Sequence, residues 1–219
     1  TEADARIMKQ LWDGPTDEAG NRLWYGFRPG VLFWNKVIPI GAFYYTLSGK
    51  PRPFFLSTYY LRWVTKNPKQ TFESLTVPQY RSLHRQSVTE LARFSADSAD
   101  LHPFAAHGGK LMIDHGIDDP LIPVDGTLDY CRRMLSEVGA AKAEQFFRLY
   151  ITPGDGHGSC RWHAPGITEK DGMQALIAWV ETGSAPQALR TVQVNRHGDT
   201  LRTDQVRPYT IQNHEEDEA

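Results

Sequence analysis

Two short stretches of the sequence carry side chains that can handle protons. The first, Pro153-Gly154-Asp155-Gly156-His157-Gly158-Ser159-Cys160, sets a histidine among glycines, whose size lets the ring and a second molecule approach closely. The second, His115-Gly116-Ile117-Asp118-Asp119-Pro120-Leu121-Ile122-Pro123, presents two adjacent carboxylates. An imidazole oriented by a carboxylate can take the proton of a hydroxyl nucleophile, which is the chemistry of acyl transfer. The same residues have plainer uses. An Asp in a turn commonly bonds nearby backbone, and a loop histidine is commonly just solvated. Metal binding is a third use, by His157, Cys160 and His163 with Asp155 nearby, since imidazole and thiolate suit zinc. That spacing lies in a glycine-rich loop, and no second ligand pair accompanies it.

The elements around these loops are the most regular in the sequence. Residues 110–114 form a short apolar run after Gly108-Gly109 and read as a buried strand. Residues 126–138 read as an amphipathic helix with Leu128, Cys131, Leu135 and Val138 on one face. Residues 146–151 predict a second strand. Residues 168–181 predict a second helix with Met173, Leu176, Ile177 and Val180 inward. Strand, helix, strand, helix at this spacing indicates an α/β fold with parallel strands joined by right-handed crossovers. In such a sheet functional groups collect in the loops at the carboxyl ends of the strands, which is where both stretches fall. A carboxylate loop before a histidine loop is also the order of the last two triad members in α/β-hydrolases, where the serine precedes both.

Elsewhere the signals are coarser. Residues 2–13 predict a short helix, with Ile7, Met8, Leu11 and Trp12 at helical spacing and Gly14-Pro15 as its stop. Residues 24–63 hold 13 of the 25 aromatics among scattered Gly and Pro, without a period. This predicts irregular backbone held by ring packing, either the core of a loop-rich subdomain or an aromatic lid over a cleft. Residues 77–95 read as helical. After Gly183 an edge hairpin around His197-Gly198-Asp199 is expected, then an acidic, solvated tail over residues 214–219. A 40% hydrophobic and 23% charged composition supports a packed core and argues against global disorder. The net charge of -2, without a dense Lys/Arg stripe, favours neither nucleic acid nor an anionic membrane as partner. No apolar run reaches the length of a membrane span. The two cysteines define no redox compartment. A sequence opening on Thr1 fits a processed or truncated product, so a missing signal peptide says little about location.

At the carboxylate and histidine loops the sequence resembles the tannase and feruloyl esterase family. Ala99-Asp100-Leu101, Phe104 and Gly108-Gly109-Lys110-Leu111 lead into His115-Gly116-x-x-Asp119-Pro120-Leu121-Ile122-Pro123. Arg148-Leu149-Tyr150 leads into Pro153-Gly154-x-Gly156-His157, and Ala178-Trp179-Val180-Glu181-x-Gly183-x-Ala185-Pro186 follows. Gly14-Pro15-x-Asp17-x-x-Gly20, with Gly26 and Gly30, matches a segment inside that family's lid. The similarity runs from about residue 2 to about residue 190.

The resemblance implies a secreted or periplasmic esterase for aromatic acid esters, an α/β-hydrolase core with an inserted lid. It implies Asp119 as the acid and His157 as the base, with Asp118 an exposed neighbour. The organisation it implies is a lid part over residues 1–93, the C-terminal part of the core over 94–190, and a tail over 191–219. Departures matter as well. No Gly-x-Ser-x-Gly nucleophile elbow occurs in the 219 residues. The expected partner is therefore an N-terminal part of the same enzyme that carries the serine, beside a small aromatic ester as substrate. No cofactor is expected in this chain; the family's structural calcium would bind in the upstream lid part. Members usually carry a cysteine directly after the catalytic histidine, bridged to one beside the nucleophile. Gly158 stands there instead, so either Cys160 makes a shifted bridge to the missing part or that disulfide is absent, while Cys131 reads as a core thiol.

Overall fold

The computed structural model describes residues 1–31, 55–158 and 164–210. Described residues of Thr1–Val31 and Ser98–Ala219 form one compact unit, and those of Leu32–Asp97 form a second.

The first unit is built around one strand–helix–strand segment. Strand β1 (Leu111–Gly116) and strand β2 (Phe147–Thr152) are joined through helix α5 (Val124–Val138) and a single turn, α6 (Ala140–Ala143). The strands pair in parallel, from Leu111 opposite Phe147 to Gly116 opposite Thr152. They therefore end at the same level, and the two loops that follow leave the sheet side by side. Alternation of side chains along β2 divides the core. Phe147, Leu149 and Ile151 pack with Leu128, Cys131, Met134 and Val138 of α5, while Tyr150 joins Ile167 and Leu189 on the other face. Each large apolar side chain buried in this way contributes roughly 1.5–3 kcal/mol, so the inner face of α5 anchors the segment. Cys131 is fully buried, a core thiol as the sequence indicates. β1 is only half-buried, with Asp114 exposed, where the sequence predicts a buried strand. Among the described residues β1 pairs with β2 alone.

Helix α7 (Glu169–Thr182) begins where the Thr168 hydroxyl accepts the Asp171 N–H at 2.9 Å, and it ends at Gly183, whose φ is 75°. Its inward face differs from expectation. Trp179 is 1% exposed, whereas Met173, Ile177 and Val180 are 58%, 47% and 60% exposed. The inward stripe is Gly172, Ala175, Leu176 and Trp179, about one residue round the helix from the predicted one. The indole, the bulkiest group on the helix, takes the inward position, with the Lys110 and Arg148 cations 5.6 and 5.3 Å from its ring centroid. Small residues at 172 and 175 let the backbone come close.

The expected hairpin is present. β4 (Leu189–Val194) and β5 (Thr200–Val206) pair antiparallel, and the two-residue strand β3 (Gly166–Ile167) completes a three-stranded sheet. At the N-terminus, helix α1 (Glu2–Asp13) is closed by a capping box between Thr1 and Asp4. The short helix α4 (His102–Ala106) precedes β1.

The second unit contains helix α2 (Phe55–Thr65) and helix α3 (Val77–Leu91), the latter opened by a capping box of Thr76 and Gln79. Residues 55–63 are thus helical rather than irregular. A run of ring, aliphatic and polar residues without Gly or Pro lets the backbone bond to itself, and Leu61 and Val64 turn inward. Tyr60 and Ser87 share a hydrogen bond between the two helices. Tyr59 and Trp63 are 60% and 73% exposed. Trp34, Tyr44 and Tyr45, from the same aromatic stretch, lie outside the described residues, as do Cys160, His163 and the acidic tail. Among the described residues no helix is long and apolar enough to cross a membrane.

Candidate active site

Both chemistry-bearing loops leave the carboxyl ends of the paired strands, and backbone bonds stitch them together. The Ile117 N–H donates to the Thr152 carbonyl at 3.1 Å, and the Asp118 N–H donates to the Asp155 carbonyl at 3.1 Å. Gly116 makes this approach feasible. A Cβ there would lie 2.6 Å from the Asp155 carbonyl carbon and nearer still to its oxygen. Any side chain at 116 would push the carboxylate loop away from the histidine loop.

The structure brings Asp119 and His157 together across 38 residues of sequence. The His157 Nδ1–H donates to Asp119 Oδ2 at 2.9 Å. The other carboxylate oxygen, Oδ1, accepts the Leu121 and Ile122 N–H groups at 2.7 and 3.0 Å. The acid thus forms the side-chain turn that an Asp before Pro commonly makes, and it contacts the ring as well. Burial alone would raise the Asp119 carboxyl. Hydrogen bonds from His115, Ile122, Leu121 and His157 outweigh that and hold it below the ordinary carboxylate value. Asp119 is buried, so little water competes for these bonds.

With Nδ1–H engaged, the neutral His157 ring keeps its lone pair on Nε2, the atom that accepts a proton. The side chain is 40% exposed, which leaves that atom within reach of an incoming donor. A groove of about 460 Å³ is lined by His157, Asp119, Gly156, Met112, Met173 and Leu176, among others. It offers a largely apolar wall beside a polar end.

Asp118 sits differently from its neighbour. It is half-buried rather than exposed, and burial raises its carboxyl above the ordinary value. Its carboxylate lies against Gly30, where a Cβ would come within 2.7 Å of Oδ1. The histidine ring meets Asp119 and not Asp118. Of the alternative metal set, Cys160 and His163 lie outside the described residues, so that reading, and a bridge at Cys160, find no geometry here.

His115 opens the carboxylate loop in the sequence, with no proton-handling role assigned to it. The structure places its Nε2 3.5 Å from Asp119 Oδ2. Burial opposes charging this ring, yet the Asp119 bond, the Ile122 carbonyl and the charges of Asp119 and Asp114 lift it above the ordinary imidazole value. The four-residue spacing from His115 to Asp119 was visible, but only the turn at Pro120 folds the acid back onto the ring. A second hidden support is Arg28, which grips Asp125 in the first turn of α5 through two bonds of 2.9 and 2.6 Å.

A sequence profile described as tannase and feruloyl esterase matches residues 1–215. A protein of Arthroderma benhamiae named "Probable feruloyl esterase" is 27% identical over 211 residues, covering 91% of this chain and 37% of that protein. Feruloyl esterase B from Aspergillus oryzae superposes with a TM-score of 0.72 at 20% identity, covering 95% of this chain and 42% of its own. Tannin acyl hydrolase from Aspergillus niger superposes with a TM-score of 0.72 at 23% identity, covering 93% and 39%. The chain thus spans about two fifths of the length of these relatives, and its fold is the α/β-hydrolase type that the family resemblance implies. Matched along nearly all its residues, the chain belongs to the tannase and feruloyl esterase family.

Proposed function

We propose that this chain supplies the acid and the general base of a serine-dependent carboxylic ester hydrolase, Asp119 being the acid and His157 the base. The observation that carries this reading is the 2.9 Å bond from His157 Nδ1 to the buried Asp119 carboxylate. It fixes the tautomer in which Nε2 is basic, and it stands beside a groove at the ends of parallel strands. Esters of aromatic acids are the proposed substrates, in keeping with the names of the feruloyl and tannin-cleaving relatives. A secreted or periplasmic setting is proposed from membership of the family. The nucleophilic serine would come from outside residues 1–219, since the sequence holds no Gly-x-Ser-x-Gly.

In this mechanism the serine oxygen attacks the ester carbonyl carbon, and its proton passes to His157 Nε2. Asp119 stabilises the resulting imidazolium without taking the proton itself. When the tetrahedral intermediate collapses, the ester C–O bond breaks, and His157 returns the proton to the departing alcohol. Water then repeats the sequence on the acyl-serine, again with His157 as base, and releases the acid.

The test is His157→Ala in the protein that carries this chain together with the serine, assayed by release of the aromatic acid from its methyl ester. Turnover is expected to fall by roughly 10⁴-fold or more. Folding should be unaffected, because the ring is substantially exposed. Near-wild-type turnover would refute the assignment.

A further inference from the structure

His115 carries an inference that rests on the acid and base reading of Asp119 and His157 and deepens it. Its side chain is 10% exposed, and its ring meets a hydroxyl, a backbone carbonyl and a carboxylate. It stands on β1. Its Nδ1 lies 2.8 Å from the Thr127 hydroxyl on α5, and its Nε2 lies 3.0 Å from the Ile122 carbonyl at the end of the acid's turn. A carbonyl can only accept, so Nε2 carries the hydrogen. The Thr127 hydroxyl then donates to Nδ1 in the neutral ring, or accepts from it in the charged one. Every polar atom of the ring is matched in either state.

That same Nε2 is 3.5 Å from Asp119 Oδ2, the oxygen that receives His157. The acid is therefore bounded on each side. Two backbone N–H groups hold Oδ1, while an imidazole anchored to α5 and to residue 122 flanks Oδ2. Without that ring, the carboxylate could rotate about its own side chain and draw Oδ2 away from His157. We propose that His115 is a positioning residue: it ties β1, the 119–122 turn and α5 into one unit that keeps Asp119 Oδ2 aimed at His157 Nδ1.

Positioning of this kind acts on the rate of the chemical step, because a misplaced base loses reactive geometry; His115 also lines the groove, and a ring of similar volume keeps that wall in place. Two variants of the serine-containing protein test it. His115→Phe keeps the ring volume and removes every bond. Thr127→Val removes only the anchor at Nδ1. Steady-state kinetics on an aromatic methyl ester should show kcat lowered by about 10- to 100-fold in His115→Phe, with KM within about twofold of wild type. Thr127→Val should lower kcat by about three- to tenfold, again without a change in KM. His115→Gln, which can still donate to the Ile122 carbonyl, should recover part of the kcat lost in His115→Phe. Should His115→Phe fail to fold, the Thr127→Val result decides. An unchanged kcat in folded His115→Phe or in Thr127→Val overturns the positioning role, as does a loss confined to KM. His157→Ala in the same assay separates the two readings. Its inactivity beside an active His115→Phe would sink only the positioning role, and full activity in His157→Ala would sink the acid and base assignment itself.

Discussion

Replacing Asp119 with Asn tests the site at the atom where its bonds converge. The carboxylate accepts at both oxygens: Oδ1 from Leu121 and Ile122, and Oδ2 from His157, with His115 close by. An amide of the same shape has one acceptor and one donor. Keeping its carbonyl toward Leu121 and Ile122 points its NH2 at the His157 Nδ1–H, donor against donor. Turning it round instead sets the NH2 against two backbone N–H groups. The arrangement that satisfies most partners keeps the backbone pair and moves the His157 proton from Nδ1 to Nε2. That tautomer has no basic nitrogen toward the groove. A wrong tautomer of this kind lowers kcat by roughly 10⁴-fold, or about 5.4 kcal/mol at 1.36 kcal/mol per factor of ten. Stability should also drop, by about 1–3 kcal/mol, because charge-assisted bonds become neutral or are lost. Since Asp119 is held below the ordinary value of 3.8, its contribution is present above that pH and disappears as pH falls through the lowered value. The stability gap between wild type and Asp119→Asn should therefore close in acid. Turnover of an aromatic methyl ester, with urea denaturation at neutral and at acidic pH, measures both effects. If Asp119→Asn keeps more than about a tenth of wild-type kcat, a threshold far above the wrong-tautomer loss, the tautomer argument fails.

Other substitutions probe the surroundings. Asp118→Asn should leave turnover within a few-fold and raise the melting temperature slightly at neutral pH. Burial lifts this carboxyl above 3.8, so ionising it costs stability as pH rises past that value; a severe loss of turnover would move the acid's role to Asp118. Gly116→Ala should separate the stitched loops, lowering both turnover and stability, the latter by about 1–3 kcal/mol as for other overpacked sites. A variant as stable and active as wild type would show that the close approach of the loops is dispensable. Cys131 should resist a thiol reagent until the protein unfolds, since burial removes it from solvent and pushes its thiol up to about 12. Peptide mapping after labelling reads this at residue 131, and rapid labelling of the native protein would contradict it.

The strand–helix–strand segment was legible because its signals are local and agree with one another. Leu128, Cys131, Leu135 and Val138 repeat at helical spacing, three of them buried and Leu135 half-buried against the same core, and apolar runs flank that helix on either side. The loops that follow the strands pointed to a histidine and two adjacent carboxylates, and the family resemblance favoured Asp119 and His157 among them, but their contact depends on matched strand ends, which sequence spacing does not report. The tilt of α7 was misread for a related reason. Two apolar stripes lie side by side on that helix, and only the packing of Trp179 decides which one faces inward. The helix over residues 55–65 was hidden by aromatic density, which suggests irregular backbone but is compatible with helix where Gly and Pro are absent. The place of His115 is hidden in the sequence because it stands at a strand end while its three partners come from a turn and a helix, a convergence that exists only after folding.

The acid and the base flank a single helix–strand segment and stand 38 positions apart in the sequence. Loop-closure entropy rises only slowly with length, and a separation of this order is modest for an α/β protein. The Asp119–His157 bond should therefore form in the same event that docks α5 on the strand pair, before more distant parts of the chain are in place. Arg28 at Asp125 and Gly30 at Asp118 join the aromatic stretch to this segment, so a change at either position reaches the proton-handling pair, and the two regions must evolve together there.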